Sequence, residues 1–426
     1  MIPAVWILFC ASLASAQTTL TFDEALKRAL AVNNTVESAR AEVGVAEAQR
    51  SYLLSAVMPK ITVNGALTRN SIEQTFGGEG EDSVTILPHN DWQYQVVLSQ
   101  PLFAGRRELR AYSQAKIAVQ NAREQSQGTD DAVLLRVASS YLAVVNADRR
   151  LDVERRNIEL AERRLSQARA FYEAGEVTKV DVFRAETAQK AAQRLLAAAQ
   201  QQREHAVAQL RQDLALDGAV NVVAPAQTVA AIPSEEELVR RAQASRPDVT
   251  VAQNNLRIAE LEIQKQRGYW LPTVTFDGGY ISQKTPFPAD QYSFGRVNFS
   301  IPVFQSGEVI ARVSGAKQRE KQAQYALADI KLGAREDVRK ALADLHSAET
   351  SLTLANDQLA AAQAEYEQAF ELYRAQEATS LDVAASEASL ADARRAVAEE
   401  TLNRDLAQLR VWYAAGSIKE AVGVTK

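Results

Sequence analysis

Apolar residues fall at every seventh position through a long stretch without proline: Val137, Val144, Leu151, Ile158, Leu165 and Tyr172. The spacing returns 201 residues later at Val338, Leu345, Leu352, Leu359, Tyr366 and Tyr373. A strict seven-residue repeat keeps one seam facing a partner only when helices supercoil left-handedly. The second series also carries a line of small residues, Ala341, Ala348, Ala355, Ala362 and Ala369, where neighbouring backbones come close. No proline occurs between Pro101 and Pro225 or after Pro302, so both stretches can remain helical without a kink. A helix from Gly105 to about Tyr172 is roughly 100 Å long at 1.5 Å per residue. A returning helix from about Val180 to Leu214 covers roughly 50 Å, and a leading helix from about Phe22 to Val57 roughly another 50 Å. Two short helices end to end therefore match one long one. The second half repeats this with residues 235–270, 307–373 and 380–414.

Between each leading helix and each long helix the period changes to two. Ile61, Val63, Gly65 and Leu67 alternate with Thr62, Asn64, Ala66 and Thr68. In the second half Val274, Phe276, Gly278 and Tyr280 alternate with Thr273, Thr275, Asp277 and Gly279. Trp92, Tyr94, Val96 and Leu98 precede Pro101, and Val297, Phe299, Ile301 and Val303 form the fourth series. Alternation of this kind predicts strands with one apolar and one polar face. Tyr292 and Phe294 fall out of phase with the fourth series. Residues 77–82, rich in glycine and acid, fill a long loop between the first two strands; a shorter connection around Pro286 and Pro288 joins the second pair.

The chain is thus written twice. Pro101, Phe103, Tyr172 and Asp181 return as Pro302, Phe304, Tyr373 and Asp382 at an offset of 201, whereas Thr21, Glu24 and Pro59 return as Ser234, Glu237 and Pro272 at 213. The difference of 12 puts the longer loop between Pro59 and Pro101. Duplication at this scale means two copies of one structural unit. The expected division is a signal peptide over 1–16, a first repeat over 17–220, a linker over 221–233, a second repeat over 234–415 and a tail over 416–426. Thr21-x-x-Glu24 and Ser234-x-x-Glu237 are capping boxes, and Thr178-x-x-Asp181 and Thr379-x-x-Asp382 have the same form with the shorter acid. Gly175 stands where the first long helix should end; its counterpart is Gln376. Residues 173–179 and 374–379 are then the tips of two helical hairpins.

Composition narrows the chemistry. Ile2 to Leu13 is an apolar run too short to cross a bilayer as a helix, and Ala14-Ser15-Ala16 before Gln17 fits a signal-peptidase site. Cys10 lies within that leader, so the exported chain has no thiol. His89, His205 and His346 are scattered without carboxylates at metal-ligand spacing, and no cofactor is expected. A net charge of −5 without a basic stripe argues against nucleic acid. No nucleophile–base pair or phosphate loop stands out, and no enzyme activity is expected.

Two readings of the strands stay open from their faces alone. They are hairpins packed on helices in a soluble spacer or adaptor, or their apolar face meets lipid and their polar face a water-filled lumen. The second, which we favour, puts Trp92, Tyr269 and Trp270 near the membrane interfaces. Four strands cannot close a barrel, and open edges in lipid leave unpaired backbone groups at several kcal/mol apiece. Copies of the chain must then complete the wall: two give eight strands, three give twelve.

These features resemble the outer membrane efflux protein family, the TolC-like channels. The resemblance rests on the Ser/Thr-x-x-Glu helix starts, Pro59 and Pro272, Pro101-Leu102-Phe103 and Pro302-Val303-Phe304, and the tips Phe171-Tyr172-Glu173-Ala174-Gly175 to Asp181 and Leu372-Tyr373 to Asp382. It implies a mainly helical homotrimer with a twelve-stranded barrel in outer-membrane lipid and a periplasmic tunnel of long helices. It also implies docking of the tips, with Gly175, Thr178 and Thr379, to a periplasmic adaptor linked to an inner-membrane pump, whether of RND, ABC or MFS type. The function implied is a passive exit duct for efflux or type I secretion. By the same resemblance Asp181, Asp382, Tyr172 and Tyr373 are gate candidates, with Lys179 and Arg374 as candidate counter-charges. Ala378 and Ala385 stand where some members carry an Arg and a second Asp. Helix capping is the competing role for both aspartates.

Overall fold

The computed structural model describes residues 18–77, 84–225, 229–286, 288–375 and 377–424. The leader with Cys10 and the tip residue Gln376 lie outside them. In chain order the elements are β1 (Thr18–Leu20), α1 (Phe22–Val32), α2 (Asn34–Ser55), β2 (Lys60–Arg69), β3 (Gln74–Phe76), β4 (Val84–Leu87) and β5 (Asn90–Ala104). Then come α3 (Arg107–Glu173), α4 (Lys179–Asp213), β6 (Val220–Val222), α5 (Glu235–Ser245) and α6 (Pro247–Arg267). A 3-10 turn over Gly268–Trp270 leads to β7 (Thr273–Gln283), β8 (Gln291–Ser300), α7 (Glu308–Arg374), α8 (Ser380–Ala414) and α9 (Ile418–Ala421). Two compact units divide the chain, one of residues 40–126 and 248–330, the other of the remainder.

The first unit holds an antiparallel sheet of order β2-β5-β7-β8. Its apolar face follows the predicted alternation: Ile61 pairs with Leu98, Val63 with Val96, and Val274 with Phe299. That face is bare. Val63 is 73% and Leu67 80% exposed, so no described helix of this unit covers it, against the reading of hairpins packed on helices. One expectation fails here. Ile301 and Val303 are not in a strand, because β8 ends at Ser300, opposite the first residue of β7. The corresponding stretch of β5 does continue through Pro101 to Ala104, since residues 273–275 of β7 pair with it. An interior strand is held by its neighbours; an edge strand stops when its single neighbour does. A short β3–β4 hairpin, not foreseen, flanks the acidic loop, of which residues 78–83 are not described.

The second unit is helical, and in its main core Phe22, Leu26, Tyr141, Leu210, Leu409, Trp412 and Ile418 meet. The long helices have the predicted limits, and Val137 and Val144 are fully buried while Val338 is too. The alanine seam is also real: Ala341, Ala355 and Ala362 are buried. The leading helices, expected as single pieces, are each broken. Asn33 is extended (φ −73°, ψ 123°) and its side chain donates to the Asp213 carbonyl at 3.0 Å. Arg246, the 213-residue counterpart of Asn33, is extended (φ −67°, ψ 128°) and reaches the Ala414 carbonyl at 3.4 Å. Pro247 enforces the second break, since the residue before proline is pushed out of the helical region. Each break caps the end of the returning helix of its own repeat. The β1–β6 parallel pair was not foreseen either; Tyr141 closes it, its hydroxyl 2.7 Å from the Val223 carbonyl and accepting the Val223 N–H at 3.1 Å.

Candidate functional site

The tip of the first hairpin begins at the end of α3. Gly175 takes a left-handed backbone (φ +78°) that L side chains rarely adopt, and its N–H donates to the Tyr172 carbonyl at 3.0 Å. The chain then restarts at Thr178, whose backbone N–H and hydroxyl donate to Asp181 Oδ2 at 3.1 and 2.8 Å. The second tip repeats this: Thr379 N–H and hydroxyl donate to Asp382 Oδ2 at 2.8 and 2.6 Å, and Asp382 N–H donates to Thr379 Oγ1 at 3.3 Å. Both aspartates therefore cap helices.

What differs is their second partner. The Ser380 hydroxyl, on the other hairpin, donates to Asp181 Oδ1, and Arg184 lies 3.5 Å from the same oxygen. Among the described residues Asp382 has only its own cap. Hydrogen bonds from Ser380 and then Thr178 hold the Asp181 carboxyl below the usual carboxylate range; Thr379 alone does so for Asp382. Tyr373 stacks near Phe171 of the other hairpin, ring centres 6.0 Å apart, and burial followed by the Asp181 charge pushes its phenol up.

The remaining tip candidates do not join this cluster. Tyr172 is exposed. Lys179 sits 5.5 Å over the Phe183 ring, and Arg374 pairs with Glu371 of its own helix at 3.2 Å. Sequence reading missed the cation that does matter. Arg164 donates to Glu387 at 2.8 Å and to the Ser380 carbonyl at 2.7 Å, with both side chains only 12–13% exposed. Further along, Arg395 donates to Glu154 at 2.7 Å, and Glu154 is 2% exposed. Both ion pairs tie α3 to α8, and between them alanines of α4 and α8 line a cavity of about 190 Å³. The available signal lay in the differences between repeats: the 201-residue counterparts of Arg164 and Ser380 are Glu365 and Lys179, so this lock cannot be duplicated.

At the sheet, Trp92 packs on Tyr94 (5.5 Å) near one end, opposite Leu67. Tyr269 and Trp270 lie at the other end, just before β7; Trp270 is half exposed, and Arg107 and Arg312 lie 4.4 and 4.9 Å from the Tyr269 ring centre. Among the described residues no helix is long and apolar enough to cross a membrane, and no acid, His or Cys cluster could hold a metal.

Residues 25–215 and 238–417 match the family described as "Outer membrane efflux protein". The chain belongs to the outer membrane efflux protein family. It is 24% identical over 369 residues to the outer membrane efflux protein BepC of Brucella suis, covering 85% of this chain and 78% of that one. It is 24% identical over 410 residues to the pyoverdine export outer membrane protein OpmQ of Pseudomonas aeruginosa, covering 92% and 84%. The crystal structure of CusC shares the fold, with a TM-score of 0.80 at 18% identity over 93% of this chain and 92% of that one. As a member of this family the protein resides in the outer membrane with a large helical periplasmic part, and it acts as a duct and not as an enzyme.

Proposed function

We propose that three copies of this efflux protein join edge to edge into a twelve-stranded barrel and form the passive exit duct of a tripartite efflux or type I secretion system. The observation that carries the reading is the four-stranded sheet, apolar on one bare face and, among the described residues, unpaired along the outer sides of β2 and β8. Ten residues of β2 extend about 33 Å, and a tilt of about 45° brings this close to the ~25 Å apolar band of an outer-membrane barrel. Open edges in hydrocarbon are prohibitively costly, so β8 of one copy pairs with β2 of the next. The same pairing gives Ile301 and Val303 the neighbour they lack.

In this reading the tips form the periplasmic entrance. Asp181 with Ser380, and Arg164 with Glu387, hold the two hairpins together; Tyr373 packs behind them; Asp382, free of a cross-hairpin partner, faces its symmetry mates near the axis. Tyr172, Lys179 and Arg374 lie on the outer rim. Gly175, Thr178 and Thr379 form the turns that meet a periplasmic adaptor, and through it an inner-membrane pump. Single-channel current in planar bilayers, together with cysteines placed singly along β2 and β8, tests the duct. Current and cross-links only between different chains are expected; a monomer without conductance would sink the reading.

A further inference from the structure

We propose that the junction between sheet and helices is a binding collar for anionic phospholipid headgroups in the periplasmic leaflet of the outer membrane. The inference needs the outer-membrane placement of the sheet but not conduction. Four segments meet at this end of the sheet, because Lys60 pairs with Ser99, Ala104 with Thr273, and Thr273 with Ser300. Residues 58–60, 101–112, 262–272 and 301–312 carry seven Lys and Arg against three Glu, a balance of +4 in a chain whose net charge is −5. The helices that start and end here are too polar to enter hydrocarbon, so the junction sits at headgroup depth.

The cations are not used up internally. Among the described residues no carboxylate lies within ion-pair distance of Lys60, Arg106, Arg110 or Arg267, whereas Arg312 is held by Glu308 and Lys265 by Glu262, each at 2.6 Å. Arg107 and Arg312 both stack on Tyr269, and half-exposed Trp270 stands beside them, the amphipathic ring expected at a headgroup boundary. The scaffold is rigid: a Cβ on Gly105 would lie 2.2 Å from the Gly268 carbonyl, so the strand-to-helix turn is pressed against the 3-10 turn that carries Tyr269. Arg106 itself has a left-handed backbone (φ 60°), which residues other than glycine rarely adopt. The equivalent residue of the second repeat is Gly307 (φ 81°). Each repeat puts one residue other than glycine in this left-handed turn, Ser306 (φ 46°) in the second; in the first it is an arginine, whose guanidinium fork matches a phosphate.

The test uses the full chain purified with bilayer lipid, reconstituted in equal phosphatidylethanolamine and phosphatidylglycerol, partly stripped, and weighed for retained lipid by mass spectrometry. Phosphatidylglycerol should be enriched, the enrichment should weaken with salt, and each cationic charge removed should reduce it roughly fivefold. The double variant Arg106→Gln with Arg267→Gln should lose it almost wholly, while Lys284→Gln, at the far end of the sheet, should not change it. Should the double variant fold poorly, the wild-type preference and its salt dependence decide alone. No preference in the wild type, equal loss in Lys284→Gln, or displacement of the lipid by inorganic phosphate would each overturn the collar. Conductance of the same preparation separates the two proposals: a conducting, lipid-indifferent protein sinks only this one.

Discussion

The two repeats share a plan but not an environment. In the first, β5 is paired on both sides; its equivalent in the second, β8, is paired on one. The long helices show the same contrast. Leu134, Val137, Ala138 and Tyr141 of α3 are fully buried, whereas α7 leaves Ile310, Tyr325, Leu332 and Leu354 more than half exposed. The first strands show the reverse: β2 is paired on one side and its equivalent β7 on both, so each repeat supplies one interior and one edge strand. The lesson is that an edge strand, in either repeat, is short of a neighbour.

The strongest way to break this comparison is at the strand-to-helix turns. Gly105→Ala puts a Cβ 2.2 Å from the Gly268 carbonyl at φ +63°, a clash between two backbones. We expect a loss above about 4 kcal/mol and failure to reach the outer membrane as a heat-resistant oligomer on gels. Gly307→Ala, in the second repeat, meets nothing within 4 Å and has only its φ of +81° against it. Its cost should be about 1 kcal/mol, with normal assembly.

Next in size is the lock between hairpins. Arg164→Ala strands a shielded Glu387, so thermal unfolding should show a loss of about 3 kcal/mol, and dye leakage through the closed duct should rise. Arg374→Ala removes a pair whose side chains are 59% and 68% exposed, and the same melt should move by less than about 0.5 kcal/mol. Smaller again is the contrast between the caps. Asp181→Ala loses its cap together with its link to Ser380, about 2 kcal/mol, and should increase single-channel opening; Asp382→Ala should soften its tip less. If both variants melt alike, the asymmetry of the tips is energetically idle.

The smallest effect is the response to acid. Both carboxyls titrate below their unfolded value, so their stabilising contribution is complete at neutral pH and is lost as pH falls through the depressed values. The melting temperature should be insensitive to these groups from about pH 5 to 8 and decline below about pH 4. Asp181→Asn should flatten that decline more than Asp382→Asn does, because Asp181 has the additional Ser380 bond.

Much of this was legible in residue order. A helix more than sixty residues long leaves a seven-residue trace, and α3 and α7 each begin and end within two residues of the limits that trace gave. Strand faces were equally plain, because a bare apolar face in lipid needs clean alternation. The breaks at Asn33 and Arg246 were less visible. Pro247 was a usable signal for one; Asn33 was a weaker one, a residue favoured at helix caps whose Oδ1 accepts the Thr35 N–H at 3.0 Å while its amide donates to the Asp213 carbonyl. The tip was the least legible. Lys179 and Arg374 are near Asp181 and Asp382 in sequence, yet Arg164, seventeen residues before Asp181, holds the hairpins together.

By itself, then, the order of residues determined the periods, the caps and the duplication, because each depends on neighbours within a few positions along the chain. Only the tertiary structure decided which strands lie inside the sheet and which at its edges, and which cation meets which carboxylate. Those outcomes depend on groups up to 289 residues apart, whose meeting is set by how helices pack and not by any local spacing.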